Sequence, residues 1–250
     1  MMPQPLQIIN PDGAGPVVII CEHASAYIPA IYDDLGLAHD DLKSHAAWDP
    51  GALDLSLKLS ADLDAPVVAS TVSRLVYDCN RPPEATSAMP ESSELIDVPG
   101  NRDLTPADRQ ARATAVYDPF CAAVSQILDV RGSNTVLVTV HSFTPVYFGQ
   151  PREVEIGLLH DDDSRLVDAM LEHIGRLPGR KVARNEPYGP GDGVTHTLRL
   201  HAQPRGLPNV MIEVRNDLMR SEHDIAERAR EILLLLKPAV MDMNSMERTS

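Results

Sequence analysis

The 250-residue chain carries 36 Asp and Glu against 22 Lys and Arg, a formal net charge of −14, with 43% apolar and only 4% aromatic residues. That charge argues against nucleic acid or an anionic membrane as main partner, because both need a positive footprint. No apolar run approaches the roughly 18 residues needed to span a bilayer.

Cys21, Cys79 and Cys121 are odd in number and follow no C-x-x-C spacing, which speaks against a disulfide framework or a zinc finger. Met1 to Pro16 lacks the basic region and apolar stretch of a secretory signal. A soluble, cytoplasmic protein is expected, with core enough for one large domain over residues 1–240 and a polar tail over 241–250. Homo-oligomerisation is left open.

Taken in chain order, strand-like runs recur at 16–22, 66–70, 74–78, 135–141, 153–159, 180–184 and 208–215. Several are continuous rather than alternating, as central strands covered on both faces require. Asp49-Pro50 starts a helix running to about Leu63, with Pro where its missing N–H costs little. Residues 82–102 form a long loop rich in Pro, Ser and Glu, read as mobile or as a lid. Thr105-Pro106 starts a helix to about Val130, disturbed at Pro119. Residues 163–177 carry a stripe of Leu166, Met170, Ile174 and Leu177, and 186–195 form a glycine-rich loop without the Lys-Ser/Thr ending of a P-loop. Residues 222–237 carry Ile225, Ala229, Ile232, Leu233 and Leu236 behind Ser221 as N-cap, and the chain is expected to fray after Val240. The alternation predicts a three-layer α/β/α fold around a central, mostly parallel mixed sheet.

His23 and His141 each end one of these runs. Ligands of open α/β sheets bind at the carboxyl ends of strands, so two such histidines can converge on one metal ion. A catalytic zinc site takes three protein ligands and leaves a position for water. Asp49, before the first helix, is the preferred third ligand. Glu22 and His45 compete, although Glu22 can ligate only if the strand has already ended, since adjacent strand residues face opposite ways.

Glu213 lies inside the apolar run Asn209-Val210-Met211-Ile212-Glu213-Val214. Desolvation raises a carboxylate's pKa there, which suits a general base, unless an arginine pairs it for structural reasons. Arg74 and Arg81 bracket another segment. One could stabilise an oxyanion and the other hold a substrate carboxylate, unless both make ordinary surface ion pairs. Cys21 near His23 has no third orienting group for a thiol mechanism, and no G-x-S-x-G occurs.

Five segments in order resemble the N-formylglutamate amidohydrolase family. They are Cys21-Glu22-His23-Ala24-Ser25; His45-Ala46-Ala47-Trp48-Asp49-Pro50-Gly51-Ala52; Ser73-Arg74 with Asp78-Cys79-Asn80-Arg81; Thr139-Val140-His141-Ser142-Phe143; and Ile212-Glu213-Val214-Arg215-Asn216-Asp217. The resemblance runs from about residue 16 to 238 and implies a fold like that of zinc carboxypeptidases and aspartoacylases. It implies Zn2+ or another divalent metal on His23, Asp49 and His141, Glu213 as base and Arg74 polarising the scissile carbonyl. Arg81, Asn80, Thr195 and Arg215 would then bind the substrate, a small N-acyl amino acid.

The wider group carries its early ligands as H-x-x-E, whereas three residues after His23 this chain has Ala26, so the carboxylate comes from Asp49 or Glu22. The glycine-rich loop lacks the tyrosine and arginine expected after its glycines, and Arg199 is the substitute. The implied role is amidohydrolysis in amino-acid catabolism. Two other readings use the same groups: a metallo-carboxypeptidase or amidase acting on a peptide or cell-wall fragment, and a non-catalytic binding protein of the same fold. A lid over the site, formed by the loop 82–102, would favour a small substrate.

Overall fold

The computed structural model describes residues 4–247. Its strands are β1 (Leu6–Ile9), β2 (Val17–Cys21), β3 (Val67–Ser70), β4 (Ser92–Ser93), β5 (Ile96–Asp97), β6 (Val136–Phe143), β7 (Val146–Tyr147), β8 (Gln150–Pro151), β9 (Ile156–Leu159), β10 (Val182–Arg184) and β11 (Asn209–Arg215). The helices are α1 (Ala52–Leu63), α2 (Pro106–Arg112), α3 (Asp118–Asp129), α4 (Arg165–Glu172) and α5 (Glu222–Glu247).

Seven strands form the central sheet in the order β1-β3-β2-β6-β11-β9-β10. Strands β3, β2, β6 and β11 run parallel in the middle, β1 is antiparallel to β3, and β9 is antiparallel to β11. The expected three-layer, mostly parallel mixed sheet is therefore what forms. Alternate residues of each central strand enter different cores. Val17, Ile19, Val136, Val138, Val210 and Ile212 pack with α1, α4 and α5, whereas Val18, Ile20, Leu137 and Met211 pack with α3 and residues 198–202. Burial on both faces is why these strands read as unbroken apolar runs.

Three local expectations need correction. The run 74–78 is a buried turn, not a strand: the Ser73 hydroxyl accepts from the Leu75 amide at 3.2 Å, and the Val76 amide bonds the Ser73 carbonyl at 3.0 Å. Leu75, Val76 and Tyr77 are buried all the same, so composition alone could not distinguish the two. The stripe on 163–177 breaks into α4 and a short 3-10 turn, which leaves Ile174 exposed. Helix α5 runs through Pro238 to Glu247, past Val240 where fraying was expected; residues 248–250 lie outside the described residues.

Other expectations hold. Thr105 caps α2 with a reciprocal Asp108 bond, and the Ser221 hydroxyl accepts from the Asp224 amide at 3.2 Å. The segment entered at Thr105 widens to a π-turn over Ala113–Tyr117, one turn before Pro119. There the proline ring would collide with the carbonyl four residues back. No helix among the described residues is long and apolar enough to cross a membrane.

Candidate active site

The carboxyl ends of β2, β6 and β11 open into a cavity of about 890 Å³ lined by His23, Asp49, Arg74, His141 and Glu213, among others. Register explains two of these. Glu213 and His141 are paired positions on neighbouring parallel strands, and both follow the parity of Leu137 and Met211, so they share a sheet face. His23 comes two residues after β2 ends, where the chain is free to turn its side chain toward His141. Asp49 is tied in by its own backbone, since its amide donates to the His23 carbonyl at 3.0 Å. Helix α1 begins only at Ala52, later than the Asp49-Pro50 start expected, after Gly51 at φ 83°. That left-handed residue makes the corner which leaves Asp49 outside the helix and facing the histidines.

His23 Nδ1, His141 Nδ1 and Asp49 Oδ2 converge. The two nitrogens are 3.1 Å apart and lie 3.1 and 2.9 Å from the carboxylate oxygen. The far nitrogen of each ring faces another carboxylate: His23 Nε2 is 2.7 Å from Asp78 Oδ1, and His141 Nε2 is 3.2 Å from Glu22 Oε2. Protons held on both Nε2 atoms leave both Nδ1 lone pairs directed at each other and at Asp49. Apart from the Ser142 amide, which donates to Asp49 at 3.3 Å, no other described residue places a donor among these three atoms.

Such a cluster calls for positive charge. Burial alone would lower the pKa of His141, but Glu22 and Asp49 outweigh it and raise it well above the ordinary value. Burial would likewise raise Asp49, and His23, His141 and Arg74 overcome it and hold it far below. The three atoms could hold a metal ion, with Asp78 and Glu22 fixing the rings in the carboxylate–histidine–metal arrangement. The donor set, two imidazoles and one carboxylate, suits zinc or a similar divalent ion. Glu22, weighed above as a ligand, thus stands behind His141. His45 is turned away to Glu94, 3.0 Å distant.

Arg74 donates to Asp49 at 3.3 Å and to Asp78 at 2.9 Å. Burial disfavours its charge, but those two carboxylates more than compensate and keep it protonated. Glu213 is buried, and its Oε2 has no hydrogen-bond partner among the described residues. Desolvation, helped by the charge of Asp49, pushes it up to about 7.

The expected substrate contacts divide. Arg81 lines the cavity, donating to the Asn80 and Gly193 carbonyls at 2.9 and 2.8 Å. Asn80 also lines it, but its amide donates to the Val194 carbonyl and its oxygen accepts from the Thr197 amide, so both ends are engaged. Thr195 is buried against Asp161, Arg199 is largely exposed 3.9 Å from the same aspartate, and neither reaches the cavity. Arg215 is not in the cavity wall either. It pairs with Asp217 at 2.7 Å and donates to the Arg152 carbonyl at 3.0 Å.

Three wall features went unseen in the sequence. Arg152 and Tyr188 line the cavity, and the hairpin β7–β8 brings Tyr147 and Phe148 to its mouth. The Phe148-Gly149 pair, both at positive φ, is the turn signal that could have revealed that hairpin. Opposite it, the loop 82–102 folds into the hairpin β4–β5. Glu94 at its tip accepts from the Phe148 amide at 2.8 Å, so the loop does cover one side of the site.

The family model described as N-formylglutamate amidohydrolase matches residues 15–220. A crystal structure of a gene product from Agrobacterium tumefaciens is similar at 53% identity, covering 97% of each chain with a TM-score of 0.94. The fold is also that of an N-formylglutamate amidohydrolase from Ralstonia eutropha, at 22% identity, 94% and 97% coverage and a TM-score of 0.69. No curated protein matches the chain. With the matched segment spanning most of its length and all of the converging residues, the chain belongs to the N-formylglutamate amidohydrolase family, hydrolases that act on a C–N amide bond.

Proposed function

We propose that the chain hydrolyses the amide bond of a small N-acyl amino acid, with N-formyl-L-glutamate or a similar N-formyl amino acid as substrate. We infer that it does so with a divalent metal, zinc first, on His23, Asp49 and His141. The observation that carries this reading is three buried acceptor atoms facing one another beside a buried carboxylate with an unpartnered oxygen. A divalent cation there supplies a Lewis acid, polarising the scissile carbonyl and making water a stronger acid.

Glu213 takes the proton from water on its carboxylate and returns it to the leaving nitrogen. A pKa near 7 suits both transfers at neutral pH. Arg74 neutralises Asp49 and Asp78 and presents the rest of its guanidinium to the carbonyl oxygen as negative charge develops. Arg81 holds the substrate's α-carboxylate with its remaining donors. The cavity volume, in the range of small-molecule sites, supports a compact substrate.

The test is the metal content of the purified protein together with formate release from N-formyl-L-glutamate, with and without chelator. Stoichiometric metal and chelator-sensitive formate are expected. Metal without formate would move the substrate to another acyl amino acid. No metal, even after reconstitution, would overturn the role given to His23, Asp49 and His141.

A further inference from the structure

Several buried or half-buried arginines of this acidic chain are matched to carboxylates: Arg74, Arg180, Arg215 and Arg228 each make such a pair. Two arginines of the cavity wall, Arg81 and Arg152, make no ion-pair contact with any described carboxylate. Arg152 is held instead by aromatic rings. Its guanidinium carbon lies 4.4 Å from the Tyr147 centroid, 4.8 Å from Tyr188 and 5.5 Å from Phe143. Ring faces attract the cation and shed its water without consuming its in-plane N–H donors.

The Arg152 backbone is pinned as well. Its amide donates to the Pro145 carbonyl at 2.8 Å, and its carbonyl accepts from Arg215 at 3.0 Å. Among the described residues its side chain meets the Thr144 carbonyl at 3.4 Å and the Tyr188 phenol. The result is a rigid, partly desolvated fork beside Tyr188, whose phenol also feels Glu213 and Arg74. A fork in that setting matches a carboxylate, and none of the described residues supplies one within ion-pair distance.

We propose that Arg152 is the specificity-determining residue: it captures a second carboxylate, on the side chain of the substrate, while Arg81 takes the α-carboxylate. Arg215 acts through it as a positioning residue. The inference rests on the proposed amide hydrolysis and names what selects its substrate, an N-acyl amino acid with an acidic side chain.

The test compares N-formyl-L-glutamate with its neutral near-isostere N-formyl-L-glutamine, in the unaltered protein, Arg152→Met and Arg152→Lys. The unaltered protein is expected to prefer glutamate. Arg152→Met should shrink the kcat/KM ratio between the two substrates by roughly 10- to 100-fold, with partial rescue by lysine. A preference absent from the unaltered protein, or a loss shared equally by both substrates, overturns the proposal.

Calorimetric titration with glutarate and with butyrate reads the anchor without turnover. If no N-formyl amino acid is hydrolysed, the proposed function fails. Glutarate binding weakened at least about tenfold by Arg152→Met, with butyrate unmoved, would still support the anchor. Glutarate binding that is absent, or indifferent to the substitution, overturns it.

Discussion

Glu213 occupies a sheet position between the buried Ile212 and Val214, where a carboxylate is costly. Its raised pKa has two consequences of opposite value. As a base it works only when deprotonated, so kcat should rise with pH along an acid limb above the ordinary 4.5 and no higher than about 7, a bound cation drawing it downward. For stability, the folded state holds this proton more tightly than the unfolded state. The Glu213 contribution therefore falls as pH rises from 4.5 to about 7.

Glu213→Gln should lower turnover by about 10²- to 10⁴-fold. In chelator at pH 7.5 it should resist urea better than the unaltered protein, by about 1–3 kcal/mol. A variant that keeps its turnover would remove the residue from the chemistry. One that loses stability would mean that Glu213 is paired in solution.

At the same scale, Glu22 and Asp78 show where residue reading stops. Both stand within recognised motifs, but only the fold reveals that each backs a histidine ring. Glu22→Gln and Asp78→Asn should each weaken zinc binding about 10- to 100-fold in competition with a chromophoric chelator. An unchanged affinity would show that ring orientation is set by packing alone.

Elements explain which parts were legible. Strands β2, β3, β6, β9 and β11 announced themselves because burial on both faces demands unbroken apolar runs. The same logic misled at 74–78, where a turn is as buried as a strand, and missed β1, an edge strand only 4 residues long. The convergence of His23 and His141 and the Asp49 corner were readable from position, although β6 runs on past His141 to Phe143. The aromatic wall was not, because its residues come from separate hairpins and loops.

One contact ties these loops to the sheet. Gly157 on β9 lies so close to the loop carrying Tyr188 that an added Cβ would meet the Glu186 carbonyl oxygen at 2.1 Å. Backbone oxygen cannot rotate away, so Gly157→Ala must push the loop outward. A cost of about 1–3 kcal/mol is expected in thermal melts, with a raised KM as Tyr188 leaves the wall. Normal stability and KM would mean that the sheet edge yields instead.

For the whole molecule, the central sheet delivers mutually repelling acceptors from the ends of β2 and β6 and from the turn before α1 into one point. Any cation that binds there joins three chain segments far apart in sequence and favours the folded state, because the unfolded chain holds no such cluster. Linkage sets the size: a metal at about 100 times its Kd stabilises by about 2.7 kcal/mol. For a chain of this length that is about 5–10 °C in Tm.

Differential scanning calorimetry should therefore show Tm rising with zinc, falling with chelator, and insensitive to zinc in His141→Ala. That variant also removes the group whose charge offsets Asp49 and Glu22, leaving both carboxylates buried with less compensation. It should thus melt below the chelated parent. If it melted at or above the parent, the repulsion between the acceptors, and not the burial of carboxylates, would dominate the energetics of the site without metal.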